Sequence, residues 1–158
     1  MRDFISEFFI SIYCWFEDFF GENLGNYLQG DPEEKFLSDP NNMFISIGLT
    51  MLCITMVFAI LYYYIINHPR LGNWWGWLIF LSANAVINFI VGWQWVLKDY
   101  FDDKMLEINK ITGEKVCLIS EDNILAFGVT NMIDAIIAFI VISFIIKWWS
   151  SNCQQAPL

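Results

Sequence analysis

The sequence predicts an all-α integral membrane protein with three transmembrane helices, an amino-terminal amphipathic helix lying in the membrane interface, and a small polar loop on the same side as that helix. Three observations lead there. The chain is 57% hydrophobic and 18% aromatic, above the apolar share of a water-soluble globule. Its charged residues, 16% of the whole, gather in the amino-terminal tail, one internal loop and the edges of three apolar runs, with one aspartate as the exception. Each run is long enough to cross a ~30 Å hydrocarbon core at ~1.5 Å per residue.

Residues 1–30 hold the most distinctive pattern. Asp3, Glu7, Ser11, Cys14, Asp18 and Glu22 recur at steps of three and four, which defines one narrow polar stripe on an otherwise Phe-, Ile-, Tyr- and Trp-rich helix. Such a helix suits the membrane interface or a buried site against neighbours, and Gly21, Gly25 or Gly30 would end it. A fourth crossing is the runner-up, opposed by the cost of Glu7, Glu17 and Asp18 in lipid. An acidic linker, 31–42, follows.

The first span is expected over 43–66, charge-free, with Asp39-Pro40 as its start signal and His68-Pro69 beyond its end. After a short loop comes the second span, 74–97, packed antiparallel on the first and capped by Asn73. Trp74, Trp75 and Trp77 at one end, and Trp93 and Trp95 at the other, stand where interfacial aromatic belts form. The polar loop, 98–122, carries β-branched residues on both sides of Thr112-Gly113, the pattern of a small β-hairpin that would need the amino-terminal segment to pack on. The third span, 123–146, opens after Ser120-Glu121-Asp122 and closes on Lys147-Trp148-Trp149, with a short tail, 147–158. An odd number of crossings puts the termini on opposite faces.

Asp134 is the exception to the segregation of charge. It lies roughly 15 Å along the third span at ~1.5 Å per residue, near the bilayer midplane. Asn84 and Asn88, one turn apart on the antiparallel second span, reach a similar depth, and Asn131 and Thr130 extend the polar seam. Gly128, Ala135 and Ala138 would let a neighbouring helix approach closely. Two readings follow: a hydrated cation or proton path, or an interhelical clasp in which Asp134 bonds Asn84 or Asn88. The acidic stripe Asp3, Glu7, Asp18 and Glu22 either faces water or, repeated around an oligomer axis, concentrates cations at a pore mouth.

A net charge of −9, from 17 acidic and 8 basic residues, argues against nucleic-acid binding, which needs clustered Lys and Arg. The four cysteines, Cys14, Cys53, Cys117 and Cys153, form no CxxC pair, and the lone His68 lacks nearby metal partners, so no metal or cofactor is expected. P-loop, HExxH and GxSxG patterns are missing, and the chain is read as a non-enzyme. The opening Met1-Arg2-Asp3 lacks the cationic start of a cleavable signal peptide.

Arg2, Lys35, Lys98, Lys104, Lys110 and Lys115 lie on the face with the amino terminus, against Arg70 and Lys147 opposite, which places the amino terminus in the cytoplasm and the carboxyl terminus outside. The many carboxylates of the larger face would suit an exported cap equally well, and there Cys14 and Cys117 become disulfide partners. The expected function is a homo-oligomeric, cation-preferring pore or ion channel. The alternative is a membrane anchor or assembly subunit of a larger envelope complex, with a protein partner at the acidic cap. Lipid is the surrounding partner in both.

Overall fold

The computed structural model describes residues 2–30, 36, 41–65, 73–108 and 114–147. The sequence readings for most of the acidic linker, His68, the Thr112-Gly113 turn and most of the 147–158 tail lie outside these residues. The chain is mostly helical. Three helices are long and apolar enough to cross a membrane: Met43–Tyr64, Trp74–Phe101 and Glu121–Lys147, with mean hydropathy of 2.5, 1.6 and 2.4 in their most apolar stretches.

The amino-terminal segment departs from a single continuous helix. It breaks into α1 (Arg2–Cys14), α2 (Glu17–Phe20) and α3 (Glu22–Gln29). Tyr13 and Phe20 are both buried against Phe127, with ring centroids 5.5 Å away in each case. Seven residues apart, the two would share a face of a straight helix but stand ~10 Å apart along it; the turn at Trp15-Phe16 brings both against one ring. Gly21, at φ +94°, supplies the second bend, and Gly30, at φ +105°, ends α3 in the left-handed conformation.

The first span, α4 (Met43–Ile60), runs on into a π-helical turn, Leu61–Ile65. Its cap is Asn42 and not Asp39: the Asn42 side chain accepts a hydrogen bond from the Ile45 N–H at 3.4 Å and donates to Ser6 Oγ at 3.2 Å, which ties α1 to the start of the span. The second span, α5 (Trp74–Phe101), overruns its expected end by a full turn. Val96, Leu97 and Tyr100 pack against the buried cluster formed with α3, and that tertiary contact keeps the turn helical. Asn73 holds the cap position of α5, but its side chain makes no capping bond. The third span, α6 (Glu121–Lys147), begins as expected: Ser120 Oγ accepts from the Asn123 N–H at 3.3 Å.

Between α5 and α6, β1 (Glu107–Ile108) and β2 (Lys115–Val116) pair antiparallel as a two-residue ladder, and Phe36 bridges to Glu107. Phe36 in turn meets Tyr27 of α3, with ring centroids 5.1 Å apart.

Two buried apolar clusters hold the bundle. The larger gathers Leu24, Tyr27 and Leu28 of α3, Phe44 of α4, and Ile124 and Phe127 of α6. The smaller, toward the other end, joins Ala59, Tyr62 and Tyr63 to Trp77 and Phe139. Trp77 is therefore not an interfacial anchor: it is buried, and its Nε1 donates to Ser143 Oγ at 3.3 Å. Trp74 and Trp75, at 52% and 73% exposure, stay on the surface.

Candidate functional site

A layer of asparagines lies between the two clusters on α5 and α6. The helices approach closely there because Gly92 faces Asn131, where a Cβ would stand 2.9 Å from the amide nitrogen, and Gly128 faces Trp93 and Phe89. Across this contact Asn131 Nδ2 donates to the Asn88 carbonyl at 2.7 Å, and Asn88 Nδ2 donates to the carbonyl and side-chain oxygen of Asn84, both at 3.0 Å. Asn84 Nδ2 completes the run by donating to the Ala135 carbonyl of α6 at 3.2 Å. All three asparagines are fully buried. Buried amides left without partners would cost about 1–3 kcal/mol each, so the run locks one register between the helices.

The run extends to α1. Tyr13 O–H donates to Asn131 Oδ1 at 2.7 Å, with its ring stacked on Phe44 at 5.0 Å. This donor was not legible in the sequence, where Tyr13 belonged to the apolar side of the amino-terminal helix. Thr130 stays out, because its hydroxyl donates to the Ala126 carbonyl of its own helix at 3.2 Å.

Asp134 makes neither of the bonds expected of it with Asn84 or Asn88. On a helix with ~100° per residue, Asn131 and Ala135 lie within ~40° of each other and turn to α5, whereas Asp134 points away by a further ~100° from Ala135. Asp134 faces a groove of about 530 Å³ bounded by α1, α4 and α6. Phe9, Ile12 and Phe16 roof it, Met51 and Leu52 line one side, and Ile137, Ala138, Val141 and Ile142 continue the Asp134 face of α6. Asp134 is 5% exposed, and its Oδ2 has no hydrogen-bond partner among the described residues. Ala138, expected at a helix contact, instead lines this groove.

α1 is seated by a second close approach. Phe9, 2% exposed, lies directly over Gly48 of α4, where any side chain would collide with its ring. The outer face of α1, α2 and the turn between them carries Phe4, Phe8, Trp15 and Phe19, all exposed, beside exposed Glu7 and Asp18.

The acidic stripe is not continuous. Glu7 belongs to α1, Asp18 to α2 and Glu22 to α3, each exposed, while only the backbone of Asp3 is described. Farther round the same end, Lys104 bridges Asp99 at 2.6 Å and Asp102 at 3.4 Å, and these carboxylates raise its pKa above the usual lysine value. Tyr27 O–H also reaches Asp99, at 3.3 Å, joining α3 to the end of α5.

No family model matches this chain, and no curated protein or solved structure is similar to it. Among the described residues no group of His, Cys, Asp and Glu is placed to hold a metal ion. Cys14, Cys53 and Cys117 are free thiols, so the disulfide considered for an exported cap is not formed.

Proposed function

We propose that the chain is a non-enzymatic, multi-pass membrane protein that serves as an anchor or assembly subunit, its folded acidic cap docking a protein partner while the spans hold position in lipid. Lipid as solvent is supported by the outward faces of the spans: Met56, Val57, Ile79, Val86, Ile137 and Phe144 are each at least half exposed. In water each would forgo of order 1 kcal/mol of burial, whereas in hydrocarbon the exposure costs nothing.

The observation that carries the anchor reading is the way the cap is built. Leu24, Tyr27 and Leu28 are sunk into the same cluster as the span residues Phe44, Val96 and Phe127, so the acidic surface of α1 to α3 is fixed rigidly to the membrane bundle. A surface with its backbone already fixed, carrying Glu7, Asp18 and Glu22, suits recognition of a basic partner, since only side-chain ordering is left to offset. Affinity purification of the full chain from membranes tests this. Stoichiometric foreign subunits that disappear when Glu7, Asp18 and Glu22 are changed together to Gln support it, and return of this chain alone contradicts it.

A homo-oligomeric, cation-preferring pore is the second reading, favoured by one feature, the partnerless carboxyl of Asp134 at mid-span. Against it, the amide donors of the asparagine run bond within one chain, and Asn88 Oδ1 is the one side-chain oxygen of the run left without a partner among the described residues. Conductance in planar bilayers that Asp134→Asn shifts away from cation preference would establish the pore, and silence from intact oligomer would remove it.

A further inference from the structure

The groove beneath α1 has a polar requirement that the protein itself does not meet. The neighbouring seam bonds within itself, Tyr13 O–H to Asn131, Asn131 Nδ2 to Asn88, Asn88 Nδ2 to Asn84 and Asn84 Nδ2 to Ala135, and none of these donors bonds Asp134. Asp134, buried at the groove wall, is left with Oδ2 unsatisfied, although a buried carboxyl without a donor or counter-charge is strongly disfavoured. Beyond Asp134 the lining is hydrocarbon and aromatic apart from Ser11 near the rim. The residues Asp134, Ile137, Ala138, Val141 and Ile142 follow one another at helical spacing along ~12 Å of a single face.

We propose that this groove binds a slender, single-chain hydrocarbon ending in an amine, with the ammonium on Asp134 and the chain lying along α6 under the roof of α1. Shape and charge select this class. About 530 Å³ lies in the range of small-molecule sites. A partner helix is too thick, because a cylinder ~10 Å across and ~12 Å long already occupies roughly 900 Å³. A fatty acid or phosphate ester would set a second anion beside Asp134, and a plain alkane would leave the carboxyl without a donor. Depth excludes ordinary phospholipids. Asp134 lies ~20 Å along α6, near its middle, whereas a phospholipid headgroup remains at the membrane surface. The inference does not depend on a partner at the acidic cap, and it holds or fails separately from that reading.

Native mass spectrometry of the full chain in neutral phosphatidylcholine nanodiscs, titrated at pH 7 with dodecylamine, dodecanol or dodecanoate, is the test. The amine is expected to bind one to one and at least ten times more tightly than the carboxylate. Asp134→Asn should cut amine affinity at least tenfold and bring it level with the alcohol. Val141→Trp, which narrows the groove two turns away from the carboxyl, should weaken all three probes. Asp122→Gln removes the same charge at the exposed start of α6 and should leave amine binding unchanged. Equal binding of amine and carboxylate by the unaltered protein overturns the proposal without recourse to any variant. So does full amine affinity in Asp134→Asn, or an equal loss in Asp122→Gln, which would assign binding to net charge.

Discussion

Replacing Tyr13 with Phe removes a single hydroxyl and leaves the aromatic packing on Phe44 and Phe127 in place. Asn131 Oδ1 then loses its donor in a site where Tyr13 and Asn131 are both 0% exposed, so water does not replace it. An unsatisfied buried acceptor costs about 1–3 kcal/mol, while hydrogen bonds between helices in lipid have averaged about 0.6 kcal/mol with an upper bound near 1.7. Full burial and a 2.7 Å donor distance put Tyr13→Phe in the upper part of the second range, about 1–1.7 kcal/mol. The measurement is reversible unfolding in mixed micelles, with Asn131→Leu and the double variant closing a mutant cycle. A coupling energy close to the Tyr13→Phe cost is expected, since both changes delete the same bond. A neutral Tyr13→Phe, or additive single effects, would mean that α1 does not dock on α6 through this hydroxyl, and the account of the amino-terminal segment would fall.

Three further outcomes follow from the same geometry. Gly48→Leu should displace Phe9 and detach α1, seen as a gain of protease cleavage between residues 2 and 20 with the spans intact; unchanged protection would contradict the seating of Phe9 on α4. Burial, and secondarily the Glu17 carboxylate, push the Cys14 thiol above its ordinary value of 9.0. In a variant keeping Cys14 alone, iodoacetamide labelling should therefore rise with a midpoint above that pH, and Glu17→Gln should lower the midpoint, since removing a negative neighbour favours the thiolate. Asp103 sits at φ +55°, so Asp103→Gly should stabilise the chain by about 0.5–1 kcal/mol in the same micelle assay; a loss of stability would show that its side chain is needed at the end of α5.

The long elements were legible because hydropathy over 20 residues is a local property, and so were the Ser120 start and the polar face shared by Asn84 and Asn88. What stayed hidden depends on distant partners. The break after Cys14 is dictated by Phe127, more than a hundred residues away in the chain, and no turn residue marks Trp15-Phe16. Trp77 has the local look of a belt residue, and only Ser143 on another helix explains its burial. For Asp134 the depth was readable, but the direction was not. Asn131 and Asp134 differ by ~60° around the helix, enough for one to meet α5 and the other to turn beneath α1. The additional turn of α5 likewise reflects a cap that packs on Val96 and Tyr100.

Sidedness of single cysteines introduced into a cysteine-free chain, probed in sealed vesicles with a membrane-impermeant maleimide, tests the three-span arrangement most directly. Asn41→Cys and Asp102→Cys should label from one side only, and Asn73→Cys and Lys147→Cys from the other side only, with the protein pelleting with the vesicles after a carbonate wash. Labelling of all four positions from the same side, or release of the chain into the wash, would contradict three crossings of lipid by α4, α5 and α6.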